Sequence, residues 1–155
     1  MTSTRLPALF LAALLLSAIL SVTGCGGGGG GGSEPPAAAN RQPAVSIARA
    51  PSGDYLIQGD NMDGVAGLKL TLTYDSSTMA APTVTKSGLI SSGLMEPNTN
   101  VIGSIIIGVI SGTPFSGSGQ IAAVSFASQT GAGTLAIASV ELYDVKGQRI
   151  YQQVQ

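Results

Sequence analysis

The sequence predicts an all-β sandwich for residues 44–155, and three observations favour this fold class. Turn-forming groups of Gly, Pro, Asn and Asp separate short apolar runs, and no run has the pattern of a long amphipathic helix. The clearest run has a period of two residues, which is typical of a strand with one buried and one solvated face. Its apolar members are Leu68, Leu70, Leu72 and Tyr74, which alternate with Lys69, Thr71, Thr73 and Asp75.

Eight runs in this region have the pattern of strands: 45–49, 54–58, 68–74, 83–86, 101–110, 120–128, 135–143 and 149–153. Run 101–110 is apolar on both faces, which indicates either a central strand covered on both sides or one whose outer face meets a partner. In run 135–143 the apolar residues change parity. A bulge near Ala138 and Ser139 would restore the alternation.

The N-terminus has the composition of a secretory signal. Arg5 precedes an apolar stretch over 6–22 that is broken by Pro7, Ser17 and Ser21. This stretch is short for a membrane-spanning helix, which needs about 20 apolar residues with anchoring flanks. We therefore expect a cleaved signal over 1–24.

Cys25 is the one cysteine of the chain, and it follows Val22, Thr23 and Gly24. This order resembles the lipobox of bacterial lipoproteins, which implies acylation of the thiol and cleavage before Cys25. Stable membrane anchoring requires more than one acyl chain, and lipoproteins of this type carry several. Gly26 lacks the aspartate that retains such proteins in an inner membrane, so the resemblance favours the outer membrane or cell surface. The alternative is ordinary signal cleavage that leaves a free thiol.

Residues 25–43 are predicted to form a flexible linker. Seven consecutive glycines are followed by a Ser, Pro and Ala segment with too few large apolar groups to offset the entropy of ordering. A phosphate-binding loop is not indicated, because no strand, helix or lysine surrounds the glycines. As a random coil, 26–42 spans roughly 20 to 25 Å.

Residues 44–155 are predicted to form one domain, large enough to bury a core without disulfides. The chain has no histidine and a single cysteine, which excludes Ser-His-Asp and Cys-His catalysis and zinc sites of imidazole or thiolate. Its net charge is -1, without a basic cluster, so nucleic acid is not an expected partner. No pair of carboxylates has a spacing that indicates a glycosidase. We predict a protein that is not an enzyme and needs no cofactor.

Three segments together resemble a cohesin domain. They are the segment VAGLKLTLTYDSSTM at 65–79, the segment GSGQIAAVSF at 117–126 and the segment LYDVKGQ at 142–148. The resemblance covers most of 45–151 and implies a jelly-roll sandwich of about nine strands. It also implies a partner: cohesins bind dockerins, small calcium-loaded helical modules, through one exposed sheet face.

The sequence departs from the dockerin-binding pattern at several positions. Gly67 and Lys69 stand where such cohesins present an Asn and an Asp, and Ser76 and Met79 replace the usual proline and leucine. The resemblance therefore implies the fold more than it implies the partner. The candidates for partner contact are Lys69, Thr71 and Thr73, which point away from the core, although a plainly solvated face would have the same pattern.

The alternative function is a structural or carbohydrate-contacting sandwich of the envelope or a secretion apparatus, with no dockerin partner. Two further ligands also remain open. The threonines and lysine on a flat sheet could bind a polysaccharide, but there is no Trp, and the few Tyr and Phe residues supply a poor stacking platform. Asp60, Asn61 and Asp63 could hold calcium, yet they lack the spacing of a calcium loop. A turn between strands explains the Asp60 and Asp63 cluster better, and Asp144 is likewise expected in a hairpin turn.

Overall fold

The structure is a computed structural model that describes residues 41–154, except for the side chain of Gln152. Within that range the chain forms nine strands and one short 3₁₀ helix at Gly88–Ile90, which confirms the all-β prediction. The strands are β1 Ala44–Arg49, β2 Tyr55–Asp60, β3 Gly67–Tyr74, β4 Met79–Lys86, β5 Leu94–Asn98, β6 Ser104–Ile110, β7 Gly119–Gln129, β8 Leu135–Tyr143 and β9 Arg149–Val154.

The strands form two antiparallel sheets. One has four strands in the order β1-β2-β7-β4, and the other has five in the order β5-β6-β3-β8-β9. Strands β3 and β6 are neighbours in space but are separated along the chain by β4 and β5, so the connections cross between the sheets. This arrangement is the sandwich that the cohesin resemblance implies.

The core lies between the sheets and is largely aliphatic. In β3 the alternate residues Leu68, Leu70 and Leu72 are buried, as the period of two predicts. Leu72 and Leu70 pair with Ile105 and Ile107 on the neighbouring strand β6. These side chains belong to one buried cluster with residues of the four-stranded sheet, such as Ile121. No polar or charged side chain is buried among the described residues. The hydrophobic effect on this continuous cluster stabilises the domain without a disulfide.

Three strand predictions need correction. β5 falls in no predicted run, because it is only five residues long and contains Pro97; it lies at the sheet edge, where a proline does not break the ladder. β6 begins at Ser104 rather than at Val101, since residues 101–103 turn and Gly103 has a φ of 80°. β4 begins earlier than predicted, at Met79.

The predicted bulge in β8 is confirmed. Ser139 pairs with Thr71 and Ile137 pairs with Leu72, so Ala138 is the extra residue opposite β3. Because of this extra residue, Val140 and Leu142 on one side of the bulge and Leu135 on the other all reach the core.

The outer face of run 101–110 is exposed, and whether it meets a partner stays a prediction. β6 lies between β5 and β3, but only its inner residues are covered by the other sheet. Ile106 on the outer face is half-buried and Ile110 is 66% exposed. The alternative of a strand covered on both sides is wrong.

The predicted signal, Cys25 and most of the predicted linker lie outside the described residues. Residues 41–154 contain no helix with the length and hydropathy needed to cross a bilayer. The described chain begins beside the Asp60 turn, where the Asn61 side-chain amide donates a hydrogen bond to the Arg41 carbonyl.

Candidate functional site

The outer face of the five-stranded sheet carries the three residues that the sequence predicts for partner contact. Lys69, Thr71 and Thr73 alternate on β3, the central strand of that sheet, with Lys69 and Thr73 exposed and Thr71 half-buried. The structure therefore places them on one surface. Whether they bind a partner stays a prediction.

The strand register aligns the outer residues of β5, β6 and β3 in three rows across the sheet. The first row is Leu94, Ile110 and Gly67; the second is Glu96, Gly108 and Lys69; the third is Asn98, Ile106 and Thr71. On β8 these rows continue with Tyr143, Glu141 and Ser139. Neighbouring strands lie about 4.8 Å apart, so members of a row on adjacent strands are in contact distance.

A groove of about 500 Å³ crosses this face where the rows lack side chains. Gly67 and Gly108 occupy diagonal positions on adjacent strands and form its floor. Its walls are largely apolar: Leu94 and Ile110 stand on one side, and Tyr143 and Val145 on the other. Leu94 is 69% exposed and Val145 is 56% exposed, so the groove presents apolar surface to solvent. A concave apolar surface of this kind is typical of a binding site.

The two floor glycines differ in the space around them. A Cβ atom at Gly108 would have only the Glu96 carbonyl oxygen within 4 Å, at 3.8 Å. A Cβ atom at Gly67 would lie 3.2 Å from Cβ of Tyr143. Side chains at position 108 would therefore fill the groove without disturbing the core, whereas position 67 is closely packed.

Lys69, which lines the groove, belongs to a charged cluster that continues on β8 and β9. Glu141 accepts hydrogen bonds from the Tyr143 hydroxyl and from the Arg149 guanidinium at 2.7 Å, and Lys69 Nζ lies 3.9 Å from its other oxygen. The Tyr143 hydrogen bond, followed by the positive charges of Arg149 and Lys69, holds the pKa of Glu141 below its usual range. Glu141 is therefore ionised at neutral pH, and Lys69 is the most loosely held of its partners.

The Asp60 and Asp63 cluster is a structural turn, as predicted, although its hydrogen bonds differ from the expected ones. Asp60 accepts from the Ser118 hydroxyl, and Asp63 accepts from the Gly117 backbone N–H at 3.0 Å. The carboxylates thus fasten the turn after β2 to the loop before β7, rather than to their own backbone. No group of three or more acidic, Cys or His side chains in 41–154 could hold a metal ion.

Asp144 lies in a hairpin turn between β8 and β9, as predicted. Its carboxylate accepts backbone hydrogen bonds from Lys146 and Gln148, each at 2.8 Å. The turn holds Val145 and Gly147 at the end of the groove. The role of Asp144 is therefore to position the groove wall.

The aromatic side chains do not form a flat platform on this face. Tyr74 and Tyr55 pack edge to face against Phe126, with ring centroids 5.1 and 6.0 Å apart, and Phe115 is buried. Of the two remaining tyrosines, Tyr143 lies in the groove wall and is half-buried. The described residues offer little surface for stacking a sugar ring.

The groove was not predicted from the sequence, although both glycines are visible there. Gly67 interrupts the cohesin pattern and Gly108 interrupts an apolar run. Their meeting depends on the register of β3 with β6, which are separated in sequence by two further strands. A pair of glycines on the outer parity of two strands is the signal, but only the pairing shows that they are neighbours.

No protein-family model matches the sequence, and no curated protein is similar to it in sequence. Solved structures do match. A non-cellulosomal cohesin from the archaeon Archaeoglobus fulgidus has a TM-score of 0.60 and 17% identity, over 72% of this chain and 84% of the cohesin. The sixth cohesin of scaffoldin B from Acetivibrio cellulolyticus, solved in complex with a dockerin, has a TM-score of 0.59 and 14% identity, over 74% of this chain and 95% of the cohesin.

A third match is the cohesin module of a family 33 glycoside hydrolase from Clostridium perfringens, with a TM-score of 0.57 and 10% identity, over 73% of this chain and 91% of that module. At these identities the likeness concerns the fold. Residues 44–154 therefore form a cohesin-like β-sandwich.

Proposed function

We propose that this protein is a binding module of the cell envelope that captures a protein partner, of the dockerin type, on the outer face of its five-stranded sheet. The observation that carries this proposal is the open groove over Gly67 and Gly108 on a cohesin-like fold. Two of the similar structures are described as complexes of a cohesin with a dockerin. The proposal is supported by the cohesin resemblance, which implies partner contact on the strand that bears Lys69, Thr71 and Thr73.

A protein partner fits this surface better than a polysaccharide does. The groove is lined by aliphatic side chains and bordered by Lys69 and Glu96, whereas the aromatic rings are mostly packed between the sheets. Apolar anchors from a partner helix, surrounded by charges, would be buried in such a groove. We therefore expect no binding on a glycan array.

We further propose that the domain acts as a holder and not as an enzyme. The chain has no histidine, and Lys69, Glu141 and Arg149 are held in ion pairs on an open sheet. An open sheet face does not exclude water from a reaction, which catalysis by buried groups requires. The domain supplies shape and charge for recognition.

The groove can be filled selectively to test its role. In Gly108→Leu the side chain would occupy the groove, and the structure leaves room for it. The matched control is Gly88→Leu, where a Cβ atom meets nothing within 4 Å; Gly88 does not line the groove, and its 3₁₀ helix contacts β7 of the other sheet. Both variants should fold with the stability of the parent chain.

The full chain, tagged at its C-terminus, serves as bait for the secreted and surface proteins of its host. We expect the parent chain and Gly88→Leu to retain the same partner, and Gly108→Leu to lose it. Chelation of calcium should also release a dockerin. Equal capture by all three proteins would contradict a role for the groove, and a host that encodes no dockerin would exclude that class of partner.

The anchor is a separate part of the proposal. Lipid on Cys25 and a linker of roughly 20 to 25 Å would hold the domain clear of the headgroups, at the outer membrane or cell surface. Cys25→Ala should abolish labelling by a clickable fatty acid and move the protein into a soluble fraction. Labelling that persists in this variant would contradict lipidation of Cys25.

A further inference from the structure

The outer face of the five-stranded sheet is complementary to itself. Three rows cross β5, β6 and β3, and β6 is the middle strand of the three. A two-fold axis that runs along β6, between two facing sheets, places β5 of each copy over β3 of the other. Residues in the same row then face each other across the axis, because a rotation about the strand direction keeps each row at its own level.

Each of the three rows supplies a favourable contact in this arrangement. Leu94, which is 69% exposed, faces Gly67 and the Tyr143 side chain packed beside it, so an apolar side chain meets an apolar wall. Glu96 faces Lys69, so an acid meets a base. Asn98 faces Thr71, so an amide meets a hydroxyl. Each contact occurs twice, once on either side of the axis.

The residues on the axis also fit. Ile106, Gly108 and Ile110 alternate on the outer parity of β6, and each would meet its own counterpart. The two isoleucines provide apolar contact, and Gly108 between them leaves room for the neighbouring side chains. Like charges would repel on the axis, and these three positions carry no charge.

The charged and polar groups are available for such contacts. Glu141 is already held by Tyr143 and by Arg149 at 2.7 Å, while Lys69 lies 3.9 Å from it, so Lys69 can reach a second acid at little cost. Oδ1 of Asn98 accepts a hydrogen bond from the Asn100 backbone N–H at 3.0 Å. Its amide group is therefore the part that would donate to Thr71.

We propose that the outer faces of β5, β6 and β3 associate in a symmetric dimer, with Leu94 over Gly67 and Glu96 paired with Lys69 of the second copy. This proposal does not depend on a dockerin partner. Because the axis follows the strands, both chains enter the dimer at the same end, beside Asp60. Two copies tethered to one membrane could therefore associate.

The contact is small, which sets the expected strength. Three strands and about six residues per strand cover roughly 14 Å by 20 Å on each copy, well below the roughly 800 Å² per partner of a standard interface. We expect a dissociation constant in the micromolar to millimolar range. Dimer formation would cover the groove, so self-association and partner capture would compete.

A charge exchange tests the register of the dimer with the full chain in detergent. Sedimentation velocity over a series of concentrations should show a weak equilibrium between monomer and dimer. Glu96→Lys sets two lysines against each other at both symmetric contacts and should weaken association about tenfold, as should Lys69→Glu. The double variant Lys69→Glu with Glu96→Lys should restore the parent value.

Two variants with the same changes in charge control for net charge. Asp54→Lys and Arg41→Glu lie outside the three strands and should leave association unchanged. Circular dichroism shows whether each variant folds. If Lys69→Glu does not fold beside Glu141, the association of the double variant Leu94→Ala with Glu96→Lys is measured instead. A parent chain that stays monomeric at millimolar concentration, or a folded double variant that fails to recover, overturns the proposal.

Discussion

Glycine has different roles at different positions in this sandwich, and the space around each one shows which. Gly59 and Gly119 pair with each other across β2 and β7. A Cβ atom at Gly59 would lie 2.9 Å from both Leu89 Cδ2 and Met62 Cγ, whereas at Gly119 its nearest contact is 3.6 Å. Close packing thus requires glycine at only one member of the pair.

We expect Gly59→Ala to destabilise the domain by about 1 to 3 kcal/mol, because the added methyl overpacks the core. Gly119→Ala should change the free energy of unfolding by less than about 0.5 kcal/mol in comparison. Denaturant unfolding of the two variants measures the difference. Equal stability of both would show that the core beside Gly59 is looser than described.

The ionisation of Glu141, which pairs with Lys69 beside the groove, makes the stability of the fold depend on pH. Its pKa is held below the usual range by the Tyr143 hydrogen bond first, and then by the charges of Arg149 and Lys69. A carboxylate with a lowered pKa in the folded state stabilises the fold above its unfolded pKa, and this contribution is lost as the pH falls through the lowered value.

Glu141→Gln removes this contribution. The variant should be less stable than the parent at neutral pH, and the difference should shrink as the pH falls below the usual range of a glutamate. Thermal unfolding at a series of pH values measures it. A difference that stays constant down to strongly acidic pH would mean that the Glu141 charge is not stabilising.

At the scale of elements, the bulge in β8 shows what the sequence can specify locally. The change of parity over 135–143 predicted an extra residue, and Ala138 is that residue. Periodicity was sufficient here because both parts of the strand face the same core. β3 was predicted for the same reason, since its alternate leucines are buried.

Deletion of Ala138 should be tolerated better than deletion of Val140. Without Ala138 the pairs Ser139 with Thr71 and Ile137 with Leu72 would follow each other in regular register. Deletion of Val140 removes a buried side chain and displaces its neighbours relative to β3. The midpoints of thermal unfolding should rank the parent and the Ala138 deletion above the Val140 deletion. The reverse order would contradict this description of the bulge.

Other elements could not be predicted from local pattern. β5 is only five residues long, which is too short to show a clear alternation. It also contains Pro97 and Asn98, which by themselves favour a turn. It becomes a strand because it pairs with β6 at the sheet edge. In β4, Ala81 has a φ of 52° before Pro82. The first half of the strand therefore lacks a regular two-residue alternation.

At the scale of the whole molecule, the candidate site arises from non-local pairing. The sequence predicted that Lys69, Thr71 and Thr73 share one face, since this needs only the period of β3. The groove needs the register that sets Gly108 beside Lys69 and Gly67 beside Ile110. The sequence pattern therefore predicts the polar residues on the outer face of β3, whereas the apolar groove beside them depends on how the strands pair.

The central claim is that this face, and not the opposite one, meets the partner. A photo-cross-linking amino acid is placed at one of two positions. Replacing Thr71 puts it on the outer face of the five-stranded sheet, and replacing Thr85 puts it at an exposed position on β4 of the four-stranded sheet. Both are threonines on strands, so the two variants are matched in residue type and secondary structure.

Each variant of the full chain is illuminated in the presence of the secreted and surface proteins of its host, and the adducts are identified by mass spectrometry. We expect the Thr71 variant to yield a covalent adduct with a protein partner and the Thr85 variant to yield none. Adducts formed from Thr85 but not from Thr71 would contradict the account.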